Sequence, residues 1–486
     1  MPTMLHNISN ATKPAITCTP SARSQSLLVI SASTQAALVE ATAGLAAHLK
    51  QHPELTIVDV AYTLQTGRTE LNHRRFVVCQ DRVDALNLLE STAAKRVTTV
   101  SEVDSSYRDR KVAFLFPGLG EQYVELARAL YRDEPDFRET VEYCCTFLKS
   151  HLNLDLHEIF SSADDSISSP SQPAFDFRAF VRRDGHDAAS KFAQPTIAHP
   201  ATFVLEYALT QLLQQWGIRP AAMIGYSLGE YVAACLSGVL SLEDALILVA
   251  KRAQLIQDGP QGAMLAVNLA EKDVHPYLTD KVNLAAVSSP VTCVLAGPNE
   301  AIDDLNQHFT RQEIVCYRVT TTYAFHSAML DPLREEVTRL VRNMKLSAPR
   351  IPYLSNLTGT WITAEQATDS SYWARHMCQT VRFADSVQQL LQDPALFVLE
   401  VGPGRALSSF VKQHPACGMK RMPLVQATLP AAHERQSCQS FLLNTLGKLW
   451  QAGVKIDWAG FHVHEQRHYV SLPPVLNNTS SMEVKP

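Results

Sequence analysis

The chain has 486 residues, 46% of them hydrophobic and 19% charged; this globular composition excludes a chain disordered throughout and, at roughly 150 residues per domain, predicts about three folding units. Lys and Arg number 43 against 48 Asp and Glu, a net charge of −5 with histidines neutral, which argues against a nucleic-acid binder while leaving room for a local basic pocket. No apolar run approaches the roughly 18 residues of a membrane span, and the ten cysteines lack zinc or Cys-x-x-Cys spacing, so they predict reduced, mostly buried thiols, no metal site and a cytoplasmic setting.

Residues 1–24, rich in Ser, Thr, Pro and Ala, read as a disordered leader without the apolar centre of a secretory signal. Leu27–Ile30 predicts a short buried strand, residues 34–50 a helix and Arg75–Val78 a second strand, so residues 25–110 form a small α+β unit. Val112–Phe116 is a continuous apolar strand of the kind buried in a parallel sheet. It runs into the tight turn Pro117-Gly118-Leu119-Gly120 and a helical pattern over 122–131. Residues 161–191 break the periodicity with Ser, Pro, Asp and Arg and read as a surface insertion.

Helical spacing returns over 200–215, followed by the strand Ala222–Tyr226 and a helix from Glu230. From 263 to 325 the order is strand, helix, strand, strand, helix, strand, a ferredoxin-like unit inserted into a larger domain over 111–262 and 326–430. That domain resumes with a helix over 329–344 and strands at 353–355 and 397–401. An amphipathic helix at 437–452 then leads into a tail, part of the segment 431–486, that shows no core signal.

The strongest chemical signal is Gly225-Tyr226-Ser227-Leu228-Gly229, a G-x-S-x-G pentapeptide between strand and helix. The glycines permit a sharp turn that lifts Ser227 above the sheet, and the Leu228 N–H is placed to meet an oxyanion. A serine nucleophile needs a base. His326, in Tyr323-Ala324-Phe325-His326-Ser327, lies where the chain leaves the inserted unit and can face a cleft between the two units, although a lone histidine is more often structural. Arg252, in a largely apolar helix, can grip a carboxylate or simply be a solvated charge.

These motifs together resemble the malonyl-CoA:acyl carrier protein transacylases, the acyltransferase family of polyketide and fatty-acid synthesis. The likeness runs through FPGLGEQY (116–123), GYSLGEYVAACLSG (225–238), KRAQLIQ (251–257), YAFHS (323–327), SNLTG (355–359), YWARHMCQTVRFADSV (372–387) and LEVGPGRAL (399–407). Residues 25–110 resemble the ketosynthase-to-acyltransferase linker of modular synthases, and 449–473 the linker that follows the acyltransferase. The chain is thus expected to be either a free-standing, trans-acting acyltransferase or an excised segment of a larger synthase. The implied fold is an α/β-hydrolase-like large domain with a parallel sheet, a ferredoxin-like insertion and an N-terminal α+β linker subdomain.

The resemblance implies ping-pong transfer of a malonyl unit from malonyl-CoA through Ser227, with His326 as base, to the phosphopantetheine thiol of an acyl carrier protein. No permanently bound cofactor is implied. The N–H groups of Leu119 and Leu228 would hold the oxyanion, a backbone carbonyl at His376 would orient His326, and Arg252 would pair with the free malonyl carboxylate. Phe325 is as in malonyl-selective members, whereas Tyr323 is typical of methylmalonyl-selective ones; ring bulk at Phe325 favours malonyl. The chain departs from the family at Leu119 (usually Gln), Tyr226 (usually His) and His199 (usually Gln). The competing expectations are an unusual carrier-bound unit such as hydroxymalonyl or aminomalonyl, a hydrolase that clears stalled carrier proteins, and an inactive docking scaffold. Other synthase domains are expected partners; nucleic acid and membrane are not.

Overall fold

The computed structural model describes residues 23–91, 97–100, 108–118, 127–161, 194–431, 434 and 436–474. Most of the expected leader and of the expected 161–191 insertion therefore lies outside the described residues, as does Leu119. Arg23 and Ser24, assigned to the leader, are instead part of the fold. The Arg23 guanidinium pairs with Glu134 and covers the Phe461 ring, while the Ser24 hydroxyl donates to Gln439.

Among the described residues, three sheets organise the chain. Strands β1 (Ser26–Ala32), β2 (His73–Cys79) and β3 (Val97–Val100) form an antiparallel sheet in that order. Helices Gln35–Gln51, Ile57–Thr66 and Arg82–Glu90 accompany it, each started by a Thr or Asp side chain that accepts a backbone N–H of the first turn.

The second sheet is parallel and sits at the centre of the molecule. It contains β4 (Val112–Phe116), β5 (Pro220–Gly225), β10 (Tyr353–Leu354), β11 (Phe397–Glu400) and β12 (Val425–Ala427), in the order β10-β5-β4-β11-β12. The five residues of β4 are all buried, which is why the strand reads as an unbroken apolar run rather than an alternation.

Between β5 and β10 the chain builds the third sheet, antiparallel, from β6 (Ala263–Val267), β7 (Asn283–Ser289), β8 (Thr292–Gly297) and β9 (Cys316–Arg318), in the order β7-β8-β6-β9. This is the ferredoxin-like topology. The sheet joins the large domain through Val381, whose N–H donates to Ala285 and whose carbonyl accepts from Val287.

Three local expectations need correction. The first helix expected within the 263–325 unit is only the four residues Glu271–Val274 followed by a 3₁₀ turn at His275–Tyr277, because Pro276 has no N–H to continue the α pattern. The helix expected at 329–344 begins as a 3₁₀ segment, Ala328–Leu333, containing Pro332, and becomes α only over Arg334–Arg342. The tail after the helix Cys438–Gln451 is not without a core. Val454, Ile456, Trp458 and Phe461 are buried in the central cluster, and Val470 and Leu472 pack against the N-terminal one. Spacings set by contacts with distant elements carry no local period, so the sequence does not reveal this packing.

Among the described residues no helix is long and apolar enough to cross a membrane, and no cluster of His, Cys, Asp or Glu suits a metal ion.

Candidate active site

Ser227 sits where β5 ends and the helix Gly229–Ser237 begins, with φ of 52°. A non-glycine residue in this left-handed region is strained, and it persists here because its neighbours admit nothing larger. A Cβ on Gly225 would come within 2.1 Å of the Glu230 nitrogen, and one on Gly229 within 2.2 Å of the Phe116 carbonyl oxygen. The close approach of Gly229 to Phe116 seats the turn on the end of β4.

Ser227 Oγ lies 2.7 Å from His326 Nε2. His326 Nδ1 lies 3.0 Å from the Gln379 carbonyl oxygen, which can only accept, so the proton is on Nδ1 and the Nε2 lone pair faces the serine. The ring is 4% exposed. Burial first, then the positive potential of His376 and Arg252, pushes its pKa down to about 3, leaving it neutral and able to accept the Ser227 proton.

The carbonyl on Nδ1 corrects the expectation for His376. The helix Ser370–Cys378 ends just before Gln379, whose extended backbone turns its carbonyl out of the helix, whereas His376 lies inside the last turn. The His376 carbonyl adds only a smaller favourable influence on the charged imidazole. The His376 ring stands edge-on to that of His326 at 5.9 Å, with its Nε2 3.2 Å from Glu230.

Asn356, in the SNLTG segment, has no role that the sequence assigns, yet it braces the elbow. Its Oδ1 accepts the Ser227 N–H at 2.7 Å and its Nδ2 donates to the Gly225 carbonyl at 2.6 Å. Its own N–H donates to buried Glu230, which also accepts from the Tyr372 hydroxyl. Glu206, equally silent in the sequence, accepts the Gly118 N–H at 2.8 Å, and burial holds its carboxyl well above the ordinary carboxylate range. The order of these residues along the chain carries no signal for such contacts; only glutamates set in apolar helix patterns hint at them.

Arg252 is 1% exposed. Among the described residues no carboxylate lies within ion-pair distance of it. Its guanidinium stands 5.1 Å from the Tyr231 ring centre and donates to His199 Nδ1 at 3.4 Å. The His199 ring is 5.7 Å from Phe325, which in turn lies 6.1 Å from Tyr323. Ser227, His326, Phe325, His199 and Arg252 thus form one continuous neighbourhood.

The Tyr323 hydroxyl donates to the carbonyl of Gln257, at the end of the helix that carries Arg252. Tyr226 reaches away from the serine to the inserted unit, where its hydroxyl is 2.9 Å from Ser288 Oγ and its ring meets Phe383. Leu228 is buried at the start of the helix after the serine.

Known proteins resemble this chain over most of its length. A family model described as "Acyl transferase domain" matches residues 113–454, and a second, "CurL-like, PKS C-terminal", matches 26–89. A phenolphthiocerol/phthiocerol polyketide synthase from Mycobacterium tuberculosis is 34% identical over 469 residues, covering 91% of this chain and 30% of that protein. The chain therefore spans under a third of the length of this relative. Among solved structures, the acyl transferase domain of ZmaA superposes with a TM-score of 0.83 at 36% identity, covering 94% of this chain and all of that one. The acyl transferase domain of SpnD, in complex with 2-(pent-4-yn-1-yl)malonyl, gives 0.75 at 36% identity and covers 88% and 96%. The chain belongs to the acyl transferase domain family of polyketide synthases.

Proposed function

We propose that the chain loads a malonyl unit from malonyl-CoA onto Ser227 and passes it to the phosphopantetheine thiol of an acyl carrier protein. The observation that carries this reading is Arg252, a buried cation beside the Ser227–His326 pair with no carboxylate of its own among the described residues. A buried charge without a counter-ion is costly, and a substrate carboxylate supplies one through charge-assisted hydrogen bonds. A hydrolase for simple acyl chains has no use for such a cation. The malonyl derivative held by the SpnD domain supports a malonyl-type acyl group, and the ring of Phe325 leaves malonyl favoured over methylmalonyl.

In the first half-reaction His326 Nε2 takes the Ser227 proton as Oγ attacks the thioester carbonyl. The oxyanion forms beside the Leu228 N–H, with the Leu119 N–H as the second donor that the family resemblance implies, and collapses to acyl-serine as coenzyme A leaves with the proton from His326. In the second half-reaction the carrier thiol gives its proton to His326, attacks the acyl-serine, and Ser227 recovers its proton. Throughout, the Gln379 carbonyl holds Nδ1–H and keeps the ring in one tautomer.

Intact-mass spectrometry after brief mixing with malonyl-, methylmalonyl- and acetyl-CoA in competition tests the reading. A malonyl adduct that is absent in Ser227→Ala is expected. An adduct that persists in Ser227→Ala would remove the mechanism, and a dominant acetyl adduct would remove the malonyl assignment.

A further inference from the structure

His199 lies in the helix Pro195–Gln215 and is 1% exposed. Its Nδ1 is 3.4 Å from Arg252 Nη1. A guanidinium has donors only, so Nδ1 accepts through its lone pair and the ring proton sits on Nε2. That Nε2–H is buried and has no partner among the described residues, and the same holds for Arg252 Nε. Two adjoining side chains therefore each present a buried donor that meets no acceptor among those residues, an arrangement that native interiors rarely keep without a ligand to complete it.

The kind of acceptor on the guanidinium also matters. A carboxylate at this position would hold the guanidinium but cancel its charge. An imidazole lone pair holds it and leaves the charge available. The centre of the His199 ring lies 5.7 Å from that of Phe325, which directly precedes the base His326, so His199 belongs to the same neighbourhood as the acylated serine.

We infer that His199 determines acyl specificity together with Arg252: it brackets the guanidinium through Nδ1 and offers Nε2–H to an oxygen of the dicarboxylic half-thioester that Arg252 receives. The inference rests on the reading that Arg252 binds the free carboxylate, and it adds a second, uncharged contact to that recognition. The acyl group it fits carries oxygens at both ends, so an acetyl unit gains nothing from it.

The experiment compares the wild-type protein with His199→Gln, His199→Phe, His199→Glu and Arg252→Ala. Ser227 acylation rates are measured with malonyl-CoA and acetyl-CoA by intact mass. Reaction of Ser227 with a fluorophosphonate reports whether the serine and its base are intact. His199→Gln, which has both an acceptor oxygen and an N–H donor, should keep the malonyl-to-acetyl ratio within about threefold. His199→Phe should lower that ratio about tenfold, the scale of one lost charge-assisted contact, with fluorophosphonate reactivity preserved. His199→Glu should lower it further, because an internal carboxylate then occupies Arg252. A Phe or Glu variant that has lost fluorophosphonate reactivity is replaced by His199→Ala, for which the same tenfold loss is expected. An unchanged ratio in the His199 variants, with a collapsed ratio in Arg252→Ala, overturns this inference alone. An unchanged ratio in Arg252→Ala overturns the reading beneath it.

Discussion

At the scale of single residues, His326, the proposed base, has an unusual electrostatic setting. A free histidine titrates near 6.5, whereas burial, with His376 and Arg252 adding to it, holds His326 at about 3. Only the neutral ring can take the serine proton. Its fraction is therefore nearly complete at pH 5, where an exposed histidine would already be largely protonated and inactive. The rate of Ser227 acylation, measured between pH 5 and 7.5 under conditions where the protein stays folded, should be almost flat, and a limb with a midpoint near 6.5 would show that the ring is not buried as described. Of the residues proposed to act on the acyl group, Ser227 was legible from a pentapeptide whose glycines leave no room for a Cβ, and His326 and Arg252 from the resemblance. Gln379 was not, because what matters there is a backbone carbonyl that any residue carries. Misplacing it by three positions at His376 reflects one turn of helix, the distance over which a motif cannot say which carbonyl leaves the ladder.

At the scale of elements, the elbow is held by a segment far away in sequence. Asn356 follows β10, the edge strand beside β5, and its amide spans both ends of the turn by accepting from Ser227 and donating to the Gly225 carbonyl. Glu230, in the first turn of the next helix, fixes Asn356 in turn. Replacing Asn356 by Ala leaves the Ser227 N–H and the Gly225 carbonyl without these partners, each buried loss costing about 1–3 kcal/mol. The expected result is a fall of about tenfold or more in Ser227 acylation with malonyl- and acetyl-CoA alike, since Asn356 acts on the serine and not on the acyl carboxylate. A selective loss of malonyl transfer would assign it to substrate binding instead. The strands that the sequence placed were readable to within a residue or two, whereas β3 and β12 carried no signal that was read. β4, β6 and β8 are short apolar runs bounded by Gly, Pro or polar residues, and such runs keep their limits because the sheet buries them on both faces or against a helix. Prolines at 276 and 332 shortened the helices that periodicity alone extended through them.

At the scale of the whole molecule, the N-terminal unit is not a separate bead. Its strand β2 is covered by the helix Cys438–Gln451 from the far end of the chain. Buried Arg74 of β2 donates to the Trp450 carbonyl and stands 4.8 Å from the Trp450 ring centre, while Gln451 Nε2 donates to the Arg74 carbonyl. Phe76 and Val78 of β2 lie in the same apolar cluster as Phe114 of the central sheet and Leu446 of that helix. Closure of the two chain ends onto each other depends on Gly447, where an added Cβ would lie 2.5–2.6 Å from three atoms of the Phe76 ring. Two effects of Gly447→Ala therefore oppose each other. Alanine is favoured over glycine in a helix by about 1 kcal/mol, but overpacking against a buried ring costs about 1–3 kcal/mol. The contact is shorter than real Cβ atoms adopt, and a helix tied to β2 at Trp450 and Gln451 has little freedom to retreat, so packing should win. Gly44, in the helix Gln35–Gln51, has nothing within 4 Å of an added Cβ, so Gly44→Ala should gain the helical term alone. Urea unfolding followed by both far-ultraviolet circular dichroism and tryptophan fluorescence should therefore move to lower midpoint in Gly447→Ala and to equal or higher midpoint in Gly44→Ala, with the two probes coincident in each. If Gly447→Ala instead unfolds at higher urea, the helix separates from the N-terminal sheet without cost, and the two ends of the chain do not form one cooperative body.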